Sequence, residues 1–205
     1  PVNHQTSTEF ADEVLAVIAE KGLTLHWTLE THVHADHLTG GAYIREKTGA
    51  DLGISKHICS VQRVFADLLN LGETQSCDGS HFDGHFADED LVEAGTLVIR
   101  VIETPGHTPA CVSYMIDDAL FTGDALFMPD FGTGRCDFPE GSADKLYHSI
   151  HDRIYGLPDT TRVFVGHDYQ PGGRELAYET SVGESKRNNK QLRAETTRGE
   201  FVRFR

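Results

Sequence analysis

Three β-prone runs in the second half of the chain end alike: ETPGHT, FTGD and FVGHD each pass from apolar or β-branched residues through a glycine to an imidazole or a carboxylate. Their end residues are His107, Asp124 and His167. A buried strand that stops at a glycine sets the next side chain just beyond the sheet edge, on rigid backbone. Repeated three times, this constrains the fold to a sheet whose strand ends serve one shared target. A fourth short run, TLHWTLE (24–30), leads into THVHADH (31–37). In extended backbone, residues two apart face one side, so His32 and His34 can converge. A helical zinc site would instead place histidines at i and i+4. Asp36 and His37 lie a turn further and can serve a second ion. Asp124, with two oxygens, can bridge two ions or complete the ligand set of one.

The surrounding pattern is mixed. Thr6-x-x-Glu9 has capping-box form, and Phe10, Val14, Val17 and Ile18 recur at helical spacing before Lys21-Gly22. LTGGAYIREKTG predicts a second helix closing at Gly49, which puts THVHADH between a strand and a helix. Residues 76–90 read as a long polar loop. Strands follow over 96–104, 111–116, 119–124 and 161–169. A helix over 142–158 has Ser142 as its N-cap and Leu146, Ile150 and Ile154 on one face, with Gly156 and Pro158 stopping it. The tail from 175 onward is polar and helical in part. No repeat, linker or boundary divides residues 1–205, so one domain is expected.

Composition removes several classes. A net charge of −14, from 32 acidic and 18 basic residues, argues against nucleic acid, whose binding rests on Lys and Arg neutralising phosphate. No apolar run approaches the roughly 20 residues that cross a bilayer. No secretory signal is seen, so a cytoplasmic setting is expected, or an organellar matrix if the chain is eukaryotic. Cys59, Cys77, Cys111 and Cys136 form no C-x-x-C pair, which points to reduced, structural thiols. A neighbouring arginine can lower the pKa of Cys136, although a structural thiol is the simpler reading. His4, His26, His57, His81, His85, His148 and His151 are read as ordinary histidines, the last two on the surface of the 142–158 helix.

Taken in order, H-x-H-x-D-H, PGHT, TGD and GHD resemble the metallo-β-lactamase superfamily, from the cluster to about residue 170. The fold this implies is α/β (α+β in some schemes), an αββα sandwich of two mixed β-sheets flanked by helices, with metal at one sheet edge. Residues 132–158, GTGRCDFPEGSADKLYHSIHDRIYGLP, resemble the G-R-x-D-F segment of the persulfide dioxygenase (sulfur dioxygenase) branch, and the helix after it carries the matching L-Y-x-S-I. The nearest likeness is to bacterial members labelled β-lactamase-hydrolase-like.

That resemblance implies one non-haem Fe(II) per chain on His32, His107 and Asp124, a two-His-one-carboxylate triad with open positions. It implies oxidation of glutathione persulfide by O₂ and water to sulfite and glutathione. His34, Asp36, His37 and His167 then orient water or ligands, or hold a second ion if zinc is loaded. Arg135 is the candidate for gripping a substrate carboxylate, with Asp137 pinning it or a ligating histidine and Tyr169 at the cavity mouth. Ordinary loop ion pairing competes for Arg135 and Asp137, and surface placement for Arg174. Two departures from the family stand out. ADED (87–90) carries Glu89 where a glycine is expected, and residues 1–205 are expected to lack the family's first strand pair and part of a C-terminal helix. A homodimer, and a sulfurtransferase partner or fused domain outside this chain, fit the family.

Two rivals stay open. A glyoxalase II-like thioester hydrolase uses the same ligands for two metals and a metal-activated hydroxide. It carries a sizeable helical domain after its last histidine, whereas 38 residues follow His167 here. A non-catalytic metal-binding module is the other.

Overall fold

The computed structural model describes residues 6–33, 39–72 and 76–205. His34, Asp36 and His37, assigned above to the site, lie outside the described residues. Helix α1 (Glu9–Glu20) leads to β1 (Trp27–Leu29), α2 (Gly41–Thr48), β2 (Asp51–Ser55), α3 (Ile58–Leu68) and β3 (Gly84–Phe86). There follow β4 (Leu91–Ala94), β5 (Leu97–Glu103), β6 (Val112–Ile116), β7 (Ala119–Gly123), α4 (Ala143–His148), β8 (Arg162–Val165), β9 (Glu179–Ser181), α5 (Val182–Asn188) and α6 (Arg198–Phe204). β1, β2 and β3 form a parallel sheet. The six strands β4 to β9 form a second, mixed sheet in which only β7 and β8 run parallel.

β5, LVIRVIE, is apolar on both sides, as a central strand must be. Ile99 and Val101 face the small sheet and join Val112, Tyr114, Trp27, Leu29 and Phe86. Ile102 faces the other way, into a core with Leu120, Leu146, Ile150, Ile154, Leu192 and Phe201. The layers therefore run helix, sheet, sheet, helix, with α2 on the small sheet and α4 to α6 behind the large one. The Tyr114 hydroxyl donates to the Glu30 carbonyl at 2.9 Å and pins the two sheets together beside the THVHADH loop.

Ser142 caps α4 as its sequence predicts, accepting from the Lys145 N–H at 3.2 Å. Leu146, Ile150 and Ile154 are fully buried. The helix does not stay α-helical, because Ser149–Ile154 widen into a π-helical turn. Leu146→Ala leaves a cavity at the centre of this core and should cost about 2–5 kcal/mol of unfolding free energy, measured by denaturant titration of the metal-free protein.

Two expectations are corrected, and a third, the glycine expected at position 89, is explained. Thr6 is not the first cap: α1 starts after Thr8, whose hydroxyl donates to Asp12 at 3.0 Å, while Ser7 accepts from the Glu9 N–H. The loop over 76–90 contains β3, since Gly84 to Phe86 pair with β2. Glu89 stands at φ +65, a conformation that favours glycine. Arg153 offsets this by donating to Glu89 at 2.7 Å while gripping both oxygens of Asp88.

Candidate metal centre

Each ligand-type side chain sits at the end of a strand and is held there by a specific contact. His32 follows β1 on a loop tied to the large sheet by the Val112 N–H, which donates to the Thr31 carbonyl at 2.9 Å. Thr31 also meets His32 Nδ1 at 3.1 Å through its hydroxyl. The glycine of TGD makes this approach feasible: a Cβ on Gly123 would lie 2.4 Å from Thr31 Oγ1. His107 lies in the turn between β5 and β6. Its Nδ1–H donates to the Arg135 carbonyl at 2.7 Å, an assignment that follows because a carbonyl can only accept. Nε2 then carries the lone pair and faces Asp124.

The three sites converge. His32 Nε2 lies 3.7 Å and His107 Nε2 3.5 Å from Oδ2 of Asp124, with side chains 11%, 4% and 7% exposed. The two imidazoles meet edge to face at 5.1 Å. Among the described residues this is the single cluster of three or more His, Cys, Asp or Glu able to hold a metal, its donor atoms all within 4.8 Å of one another. His167 Nε2 stands 3.4 Å from the other oxygen, Oδ1. Burial pushes His107 below the ordinary histidine value, outweighing the Arg135 carbonyl and Asp124, and so favours the neutral imidazole a metal needs. Two neutral nitrogens and one carboxylate oxygen suit a divalent transition metal.

Beyond His107 and Asp124 opens a cavity of about 350 Å³, lined also by Phe127, Phe131, Thr133, Arg135, Phe138, Tyr169, Gln191 and Arg205. Tyr169 stacks on Phe131 at 4.4 Å, and Phe138 meets His107 edge to face at 5.5 Å. Arg135 lines this cavity with its guanidinium over the Phe138 ring, while Asp137 does not line it. Their mutual approach is 3.9 Å between side chains about two-thirds exposed, so Asp137 holds Arg135 weakly. Cys136 is half-buried and its thiol is pushed up to about 11 by burial despite Arg205 nearby, which leaves it an unreactive thiol.

Sequence reasoning missed Gln191 and Arg205, which arrive from the polar tail. Arg174 does not line the cavity; it lies partly exposed in an ion-paired network. Its guanidinium donates to both oxygens of Asp168, at 2.6 and 2.7 Å, and to Asp130. The Asp168 side chain is 1% exposed, and Arg174 holds its carboxyl down at about 2. A carboxylate depressed in the folded state stabilises above its unfolded value of about 3.9 and loses that contribution as pH falls through about 2. Asp168→Asn should therefore flatten the fall in melting temperature between about pH 4 and 2.

Comparison with known proteins places the chain. The metallo-beta-lactamase superfamily profile matches residues 3–167. Glyoxylase B2 of Dictyostelium discoideum is 45% identical over 205 residues, covering 99% of this chain and 70% of that protein. A beta-lactamase hydrolase-like protein of Xylella fastidiosa is 48% identical over 187 residues, 91% of this chain and 43% of its own length. The mitochondrial persulfide dioxygenase ETHE1 of Homo sapiens is 35% identical over 163 residues, 78% of this chain and 56% of that protein. The chain thus spans about half the length of these last two relatives. The crystal structure of ETHE1 from Myxococcus xanthus superposes with a TM-score of 0.76 at 38% identity, covering 96% of this chain and 75% of that one. The chain belongs to the metallo-beta-lactamase superfamily.

Proposed function

We propose that the chain is a persulfide dioxygenase with one Fe(II) held by His32, His107 and Asp124, acting on glutathione persulfide. The observation that carries this reading is the three-donor cluster opening on one side into a cavity with two guanidinium groups, Arg135 and Arg205. Similarity to persulfide dioxygenases supports it. Fe(II) held by His32, His107 and Asp124 would supply the activation of O₂ for attack on the persulfide. In the balanced reaction the outer sulfur gives four electrons to O₂. Two oxygens come from O₂ and one from water, and the S–S bond breaks to leave sulfite, glutathione and protons.

The protein's own residues bind, orient and exclude. Arg135 and Arg205 meet the carboxylates of the tripeptide, and Phe127, Phe131, Phe138 and Tyr169 wall the reacting sulfur from bulk water. His167, next to Asp124, holds or passes a proton. His34, Asp36 and His37 remain proposed partners of water or of a second ion.

A zinc-loaded thioester hydrolase is the second reading. It is favoured by the way Asp124 shows one oxygen to His32 and His107 and the other to His167, and by the glyoxylase B2 relative. Anaerobic loading with Fe(II), then addition of glutathione persulfide in air-saturated buffer, decides between them. The dioxygenase reading expects O₂ uptake matched by sulfite and lost in His107→Ala. Thioester cleavage by the zinc form, with no uptake by a stoichiometric iron form, would replace it with the hydrolase.

A further inference from the structure

Three consecutive residues, Thr133 to Arg135, run past the metal centre with no slack. At the near end, the Arg135 carbonyl accepts from His107 Nδ1. In the middle, Gly134 lies so close to Asp124 that a Cβ would stand 1.9 Å from the Asp124 carbonyl oxygen and 3.3 Å from His107 Cβ. At the far end, Thr133 is gripped from a segment 58 residues away.

That grip is built from buried and half-buried polar groups. Gln191 Oε1 accepts from the Thr133 N–H at 2.9 Å, from the Thr133 hydroxyl at 3.0 Å, and from Arg205. Asn189 is fully buried and uses both ends of its amide. Its Nδ2 donates to the Gly132 carbonyl at 3.1 Å, while its Oδ1 accepts from the N–H groups of Gln191 and Leu192 at 2.9 Å. The Lys190 N–H closes the seam on the Pro129 carbonyl at 2.8 Å. A set of hydrogen bonds this dense favours one arrangement of backbone, because any shift breaks several of them at once.

We propose that Gln191, braced by Asn189 and Arg205, is a positioning residue for the metal centre. It fixes the 133–135 backbone, and through the Arg135 carbonyl it fixes the orientation and tautomer of the His107 ring. A partner that orients a ligating histidine sets metal affinity even though it touches no metal. The inference rests on the metal reading of the His32, His107 and Asp124 cluster, and it holds whichever reaction that metal serves.

The test uses the full chain, loaded with Co(II) as a coloured probe. Affinity is read by competition with a chromophoric chelator, geometry by the Co(II) absorption bands, and folding by the melting temperature of the metal-free protein. Gln191→Met keeps the length and removes the acceptor. It should weaken Co(II) binding by about 10–100-fold and alter the bands. Gln191→Glu keeps the acceptor oxygen beside Arg205 and should recover most of the loss, which a purely structural role would not require. A folded Gln191→Met protein with parental affinity and spectrum would overturn the proposal. If Gln191→Met does not fold, Thr133→Val decides, with weaker binding supporting the proposal and unchanged binding overturning it. His107→Ala serves as the control on the premise. If that variant binds Co(II) like the parent, the metal reading fails and the proposal falls with it. If it loses Co(II) while Gln191→Met does not, only the proposal falls.

Discussion

Asp124→Asn should remove most of the thermal stabilisation that metal gives the parent protein. At free metal about 1,000 times Kd, binding to the folded state contributes about 4 kcal/mol, or roughly 8–16 °C of melting temperature for a chain of this size. The asparagine keeps the shape of the side chain and removes its charge. Among the described residues Asp124 is the one carboxylate in a cluster otherwise made of imidazoles, and its two oxygens face His32 and His107 on one side and His167 on the other. Losing it should weaken metal by more than the roughly 100-fold that marks the upper end of outer-shell effects. The metal-free variant should melt no lower than the metal-free parent, because a buried charge has been replaced by a neutral amide. Differential scanning fluorimetry with and without metal reads both numbers. A metal-dependent rise as large as the parent's would remove Asp124 from the ligand set.

Gly134→Ala should damage the same centre from the backbone side. The added methyl would overlap the Asp124 carbonyl oxygen at 1.9 Å, and the obstacle is backbone that cannot swing aside. Overpacking of this kind costs about 1–3 kcal/mol. Here the strain relaxes by moving the Arg135 carbonyl off His107 or by moving the Asp124 backbone. Both routes disturb ligands, so metal affinity should fall together with stability. Calorimetric titration of metal into the variant checks the first and thermal melting the second. A variant that loses stability but binds metal like the parent would show that the loop absorbs the methyl away from the ligands.

The convergence of His32, His107 and Asp124 was legible because its signal is local. A strand, a glycine and a polar residue are contiguous, and burial of the strand places the polar group at the sheet edge without reference to anything distant. The same locality made Ser142 readable as a cap and Leu146, Ile150 and Ile154 as a core stripe. What escaped depends on residues far apart in the chain. Nothing beside Gln191 or Asn189 marks them as the grip on residues 132 and 133, since the marks lie on the other partner. Glu89 reads as a misfit until Arg153 is brought across from the π-helical turn. β3 was hidden in a polar, glycine-bearing stretch because its pairing partner, β2, supplies the order. Thr6 misled because three adjacent hydroxyl residues, Thr6, Ser7 and Thr8, can each begin a helix, and the helix starts after the last of them.

The central claim is that one ion sits on His32, His107 and Asp124. Anomalous diffraction from iron-loaded crystals, collected on both sides of the iron absorption edge, tests it most directly. The account predicts a single peak in contact with the two imidazoles and the Asp124 carboxylate. Two peaks bridged by Asp124, the second against His167, would contradict it and place the chain with dinuclear hydrolases.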